Sequence, residues 1–198
     1  MNCVPKSTSP CLETLLAFDG HIQHLGWHQA RFEQTQKAYF QVCNPLLLSR
    51  VLEPPEEGTF RVRVVYEKEI QRVEYLPLVS KSIASLGLVE SNIDYAYKYA
   101  NREALNALIP SGMDDVVITY DDELRDISIA NIALLIDGVW LTPQNPLLEG
   151  TTRQRLLASG FLKASSLSIA SLKKAEKFAI MNALIGFKIM DRLSIKGL

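Results

Sequence analysis

Val116-Val117-Ile118-Thr119-Tyr120, Leu124-Arg125-Asp126-Ile127, Asn131-Ile132-Ala133-Leu134-Leu135-Ile136 and Val139-Trp140-Leu141 are short runs of apolar or alternating side chains, with Asp121-Asp122 and Asp137-Gly138 between them. Aspartate and glycine tolerate the positive φ that tight hairpin turns need, so the pattern predicts a succession of short, mainly antiparallel strands. Helical signals flank them. Arg102 to Ile109 reads as a helix closed by Pro110 and Gly112, and Gly150-Thr151-Thr152-Arg153 opens a second that runs to about Ser159. A shorter helix over 168–174, a strand over about 177–182 and an irregular end complete this half.

The preceding residues show the same mixture without repeating the sequence. Leu12 to Phe18 reads as a strand that turns at Asp19-Gly20 into a short return over 21–23. A helix is predicted from about Gly26 to Phe40, with Leu25, Phe32 and Tyr39 along one face, and a second short helix over 44–52. Thr59 to Tyr66 alternates with period two and pairs, across Glu67-Lys68, with a looser strand to Tyr75. Pro77 and the serines at 80, 82 and 85 then read as a linker. The expectation is an α+β protein of two unequal lobes, a small one over 1–82 and a larger one over 83–198.

Composition narrows the function. Among 198 residues, Lys and Arg number 21 and Asp and Glu 22, so no cationic surplus exists to coat a nucleic-acid backbone. The longest apolar stretch, Ile129 to Ile136, falls far short of the roughly 20 residues that span a bilayer. Met1-Asn2-Cys3-Val4-Pro5-Lys6 resembles neither a signal peptide nor a transit helix, and Cys3, Cys11 and Cys43 lack metal or disulfide spacing. A cytoplasmic protein with no membrane partner is expected.

Candidate chemistry is dispersed. His24 and His28 have helical ligand spacing, but the Asp19-Gly20 turn and Gly26 put His21 and His24 ahead of the helix that carries His28. Turn and surface histidines are expected, and no metal. Arg31 follows His28 by one helical turn. Gly150-Thr151-Thr152-Arg153 offers an anion the N–H groups and hydroxyls of a helix start, although capping by a threonine is the commoner use. Lys98, in Tyr95-Ala96-Tyr97-Lys98-Tyr99, is flanked by aromatic rings whose desolvation favours the neutral, nucleophilic amine, although an ordinary surface lysine is the commoner case. Asp126 lies on the face opposite Ile127, where exposure is the usual fate of a carboxylate. No GxGxxG, Walker loop, HExxH or GxSxG occurs.

The order of these fragments is more telling than any one of them. Leu12-Glu13-Thr14-Leu15, Asp19-Gly20, Leu25-x-x-His28-x-x-Arg31-Phe32, Lys98-x-x-Asn101-Arg102, Asp126 five residues before Asn131-Ile132, Asp137-Gly138, Thr142-Pro143 and Leu148-x-Gly150-Thr151-Thr152-Arg153 follow one another over roughly residues 11–190. The series resembles the class IV aminotransferases, the fold-type IV pyridoxal-phosphate enzymes, and Asn182-Ala183-Leu184 is most similar to their aminodeoxychorismate lyase branch. The resemblance implies a Schiff base between Lys98 and pyridoxal 5'-phosphate. Arg31, Thr151, Thr152, Asn182 and Ala183 would hold its phosphate, and Asp126 would face its pyridine nitrogen where most members carry glutamate. Thr14 is the implied substrate contact. The implied reaction turns 4-amino-4-deoxychorismate into 4-aminobenzoate and pyruvate for folate synthesis, in a homodimer. Transamination of a small amino acid and a degenerate, inactive relative are the alternatives. The N-terminal lobe is trimmed, lacking the family's first strand before residue 11 and part of the stretch between Cys43 and Lys98.

Overall fold

The computed structural model describes residues 9–80 and 82–197. The chain forms two compact units, one of residues 9–78 with Tyr97–Asn101, the other of the remainder. The first contains β1 (Cys11–Phe18), β2 (His21–Ile22), α1 (Leu25–Ala38), β3 (Thr59–Tyr66) and β4 (Ile70–Pro77). Its antiparallel sheet has the order β2-β1-β3-β4, with β1 and β3 in unbroken register from Cys11 opposite Tyr66 to Phe18 opposite Thr59. Period-two alternation sends Cys11, Leu15 and Ala17 into a core with Phe32 of α1, Phe40, Val62, Val64 and Tyr66. The rings of Phe32 and Tyr66 meet edge to face at 4.7 Å.

The helix expected over 44–52 shrinks to a 3-10 turn, Leu48–Arg50. Pro45 removes a donor, and the Gln29 side chain takes over the backbone on either side. Its amide donates to the Leu46 carbonyl at 3.0 Å and accepts from the Leu48 N–H at 2.8 Å.

Tyr97–Asn101 belongs with this first unit because it completes the exposed edge of β1. The Leu12 N–H donates to the Lys98 carbonyl, and the Ala100 N–H to that of Pro10, each at 2.8 Å. Cys11 bridges Tyr99 in antiparallel fashion. Tyr97 and Tyr99 both lay their rings against Tyr39, at 4.7 and 5.8 Å. Lys98 is therefore grouped with the N-terminal unit, whereas the sequence reading put it in the C-terminal lobe.

The second unit contains β5 (Ser85–Glu90), α2 (Glu103–Asn106), β6 (Asp115–Tyr120), β7 (Glu123–Ile127), β8 (Ala130–Ile136), β9 (Val139–Pro143), α3 (Thr151–Ala158), β10 (Lys163–Ser165), α4 (Ile169–Lys174), β11 (Lys177–Asn182), β12 (Gly186–Ile189) and β13 (Ser194–Lys196). Its sheet runs β10-β9-β8-β7-β6-β5-β13, with β11 on β8 and β12 on β11. Leu86, Val117, Leu124, Ile132, Leu134 and Ile180 lie in its core. The hairpin turns are those the sequence predicts, with φ of +52° and +60° at Asp121-Asp122 and +49° and +74° at Asp137-Gly138.

Three expectations change. The helix over 102–109 keeps only Glu103–Asn106, because i→i+3 bonds from Leu108 to Leu105 and from Ile109 to Asn106 tighten the chain ahead of Pro110. The serine-rich linker gives way at Ser85 to β5, where the Asp114 carboxylate accepts from the Ala84 and Ser85 N–H groups and the Ser85 hydroxyl, each at 2.9 Å. The end is not irregular but forms β12 and β13, and β13 joins β5 in parallel.

Candidate active site

In the first unit, Glu13 occupies an inward position of β1, in the row of Cys11, Leu15 and Ala17. A lone carboxylate there would be costly, and two side chains of α1, one helical turn apart, compensate for it. Arg31 grips Glu13 with two bonds, Nε to Oε1 at 2.8 Å and Nη2 to Oε2 at 2.6 Å. His28 Nδ1 lies 2.7 Å from Oε2. Burial pushes the Glu13 carboxyl up, but the Arg31 charge and the bonds from His28 and Arg31 outweigh it and hold the group at about 2. The ionised carboxylate can only accept, so His28 carries its proton on Nδ1.

This corrects the expectation of a surface histidine, since His28 is 1% exposed. Glu13, which the sequence reading did not single out, is fully buried at the centre of the cluster. The Nε–Nη2 edge of Arg31 faces Glu13 and is engaged there.

Lys98 sits between two residues whose rings both meet Tyr39. Lys98 is the centre of a tight turn in which the Tyr99 N–H donates to the Tyr97 carbonyl at 2.9 Å, while its own carbonyl accepts from the Leu12 N–H. Thr14 and Arg63, paired across β1 and β3, share the face of the sheet opposite to Glu13. The aromatic flanks read from the sequence are present, Tyr97 stacked on Tyr39 and Tyr99 edge-on to it.

In the second unit, Asp126 of β7 stands opposite Asn131 of β8. It is buried at 3% exposure, against the usual fate of a carboxylate. Asn131 Nδ2 donates to its Oδ1 at 2.8 Å, and the Leu148 N–H to its Oδ2 at 3.0 Å. Burial drives its pKa up, and the bonds from Asn131 and Leu148 recover only part of the shift, leaving it at about 7. Asn131 Nδ2 also donates to the Leu148 carbonyl at 2.8 Å, which ties the loop before α3 to the acid.

Helix α3 starts at Thr151, with Gly150 as N-cap and no side-chain cap. The threonine cap considered from the sequence is therefore not made, and Thr151 and Thr152 are buried at the first turn. Gly150 is required by close approach, since a Cβ there would lie 1.9 Å from Asn131 Oδ1. Arg153, also buried, donates to Glu149 at 2.8 Å and to the Pro143 carbonyl at 2.7 Å.

Asn182 uses its side chain locally. Nδ2 donates to the Ile129 carbonyl at 3.1 Å, and Oδ1 accepts from the N–H groups of Leu184 and Ile185 at 2.9 and 3.0 Å. An anion near this turn would meet backbone N–H groups such as that of Ala183 rather than the carboxamide. Among the described residues, no three of His, Cys, Asp and Glu gather as metal ligands, and no helix is long and apolar enough to cross a membrane.

Residues 93–189 match the family profile of amino-transferase class IV. An uncharacterized protein of Haemophilus influenzae is 27% identical over 185 residues, which is 89% of this chain and 98% of that protein. A candidate 4-amino-4-deoxychorismate lyase from Haemophilus somnus 129PT superposes with a TM-score of 0.80 at 27% identity, covering 90% of this chain and 97% of that one. The pyridoxal-phosphate-bound form of a hypothetical aminotransferase from Mycobacterium tuberculosis superposes with a TM-score of 0.76 at 16% identity, over 96% of this chain and 82% of that one, and speaks to the fold alone. The ordered motifs, the mixed α/β architecture and these likenesses agree: residues 93–189 belong to the class IV aminotransferase family, and the architecture around them is that of its pyridoxal-phosphate-dependent enzymes.

Proposed function

We propose that this protein is a pyridoxal-phosphate-dependent lyase that releases pyruvate from 4-amino-4-deoxychorismate to leave 4-aminobenzoate, in the cytoplasmic supply of folate. The observation that carries the reading is the end-to-end likeness to the candidate lyase of Haemophilus somnus, a chain of matching length. The residues present suit the coenzyme. A side-chain-uncapped helix start with two buried threonines at its first turn suits a phosphate, and a buried carboxyl raised to about 7 gains a counter-charge when a pyridinium is brought to it.

Pyridoxal phosphate, when bound, supplies an aldehyde for covalent attachment and a ring that absorbs the electrons of a carbanion. Lys98 contributes the attaching amine and then, as a general base, takes the proton from the amine-bearing carbon of the substrate. Thr151, Thr152 and the backbone of α3 would anchor the phosphate, and the family resemblance gives Arg31 the same role. Asp126 would face the pyridine nitrogen and hold its proton. Thr14 would touch substrate. The C–O bond to the enolpyruvyl group breaks, the departing enolate takes up a proton in place of the one lost by the ring and becomes pyruvate, and the ring is left aromatic, so atoms balance without water, oxidant or amino acceptor. The working form is taken to be a homodimer, which light scattering on the purified protein would check.

Purified protein loaded with the coenzyme should release pyruvate from 4-amino-4-deoxychorismate, read by a lactate dehydrogenase couple, with 4-aminobenzoate in equal amount. Lys98→Ala should lower the rate by at least about 10³-fold. Transamination is the second reading, favoured by the match of residues 93–189 to the amino-transferase class IV profile. Conversion of the coenzyme to its amine form by a single amino acid, with no pyruvate from the chorismate derivative, would replace the lyase reading with it.

A further inference from the structure

We infer that Asn131 is a positioning residue that couples the two ends of the coenzyme site, clamping the acid that serves the ring nitrogen to the helix start that serves the phosphate. The inference rests on the pyridoxal-phosphate reading above. One carboxamide, 5% exposed, makes three contacts that converge on these ends. Nδ2 donates to Asp126 Oδ1 and to the Leu148 carbonyl, each at 2.8 Å. The Leu148 N–H returns a bond to Asp126 Oδ2 at 3.0 Å, closing a ring of hydrogen bonds between β7, β8 and the loop before α3. Oδ1 lies against Gly150, the N-cap of α3, so closely that no side chain fits there.

The geometry has little tolerance. Aspartate is one methylene shorter than glutamate and reaches less far from its strand, so its carboxylate must be held in place rather than extended towards its target. Both hydrogens of the Asn131 amide are spent on that task, one on the acid and one on the loop that launches α3. A ligand that touches both ends gains from their fixed spacing, because less freedom is lost on binding. A ligand that touches one end gains nothing from it.

That difference supplies the test. Asn131→Ala and Gly150→Ala, separately and together, are assayed by equilibrium binding of pyridoxal phosphate and of inorganic phosphate, with thermal melting to verify folding. In parallel, the Asp126 carboxyl is titrated by carbon NMR in coenzyme-free protein. Each variant should weaken pyridoxal phosphate by about tenfold or more, the size expected for an unmade buried hydrogen bond. Inorganic phosphate should weaken far less, the double variant should bind no worse than the poorer single one, and Asn131→Ala should move the Asp126 titration. Wild-type affinity for the coenzyme in both single variants, equal losses for both ligands, or additive losses would overturn the inference. If Asn131→Ala does not fold, Gly150→Ala decides on the same criteria. If the wild type binds no coenzyme, the functional reading fails by itself, and an Asp126 titration that Asn131→Ala leaves in place would then sink the clamp as well.

Discussion

Glu13 and Asp126 are both buried carboxyls, yet they titrate on opposite sides of the ordinary range, at about 2 and about 7. Burial acts on both, and the difference is the cation in direct contact: Arg31 bonds Glu13 twice, whereas Asp126 takes its bonds from the neutral Asn131 and Leu148 and feels the Arg153 charge as a lesser influence. Their contributions to stability therefore run in opposite directions. Folded Asp126 keeps its proton up to about 7 while the unfolded chain releases it near 3.8, so its contribution falls as pH rises through that window. Asp126→Asn should flatten the decline, measured as urea unfolding free energy at the two ends of the window. Glu13 is the reverse case: its stabilisation is complete above the unfolded value of 4.5 and is lost as pH falls towards about 2. Removing it as Glu13→Ala leaves Arg31 and His28 without their carboxylate and should cost about 3–5 kcal/mol in chemical denaturation. His28 and Arg31 were visible as neighbours on a helix, but their shared partner was not, because it lies on another element. The available signal was an acid at an inward position of an apolar alternating strand, between Cys11 and Leu15.

Turns carried the most legible information about the elements. Asp19-Gly20, Asp121-Asp122 and Asp137-Gly138 all adopt the paired positive φ that their composition announces. Gly138 gives a clean test: nothing stands within 4 Å of a Cβ there, so Gly138→Ala pays only for its φ of +74°. A loss of about 1–2 kcal/mol in unfolding free energy is expected. Asp122→Gly, at φ +60°, should be stabilising or neutral in the same measurement. The elements that escaped the sequence reading share a physical cause. Strand β5 pairs in parallel with β6 and β13, and β12 forms only through its pairing with β11, so their evidence lies in partners rather than in local residues. The two shortened helices failed differently, because Pro45 with Gln29 in one case and Pro110 in the other overrode an apolar periodicity.

At the scale of the molecule, the chain leaves the first unit after Leu78, returns for Tyr97–Asn101 and leaves again. The sequence marked the region around residue 80 as a boundary through Pro77 and its serines, but nothing local announces a five-residue return whose justification is the vacant edge of β1 and the ring of Tyr39. A fragment of residues 1–78 should therefore unfold at lower urea than one of residues 1–101, although the added stretch is mostly foreign to that unit. Equal midpoints would show the return segment to be dispensable for the small sheet. The same routing has a consequence during synthesis. A ribosome delivers β1 well before its edge partner, so that edge stays open to stray strand pairing until the segment bearing Lys98 has cleared the exit tunnel.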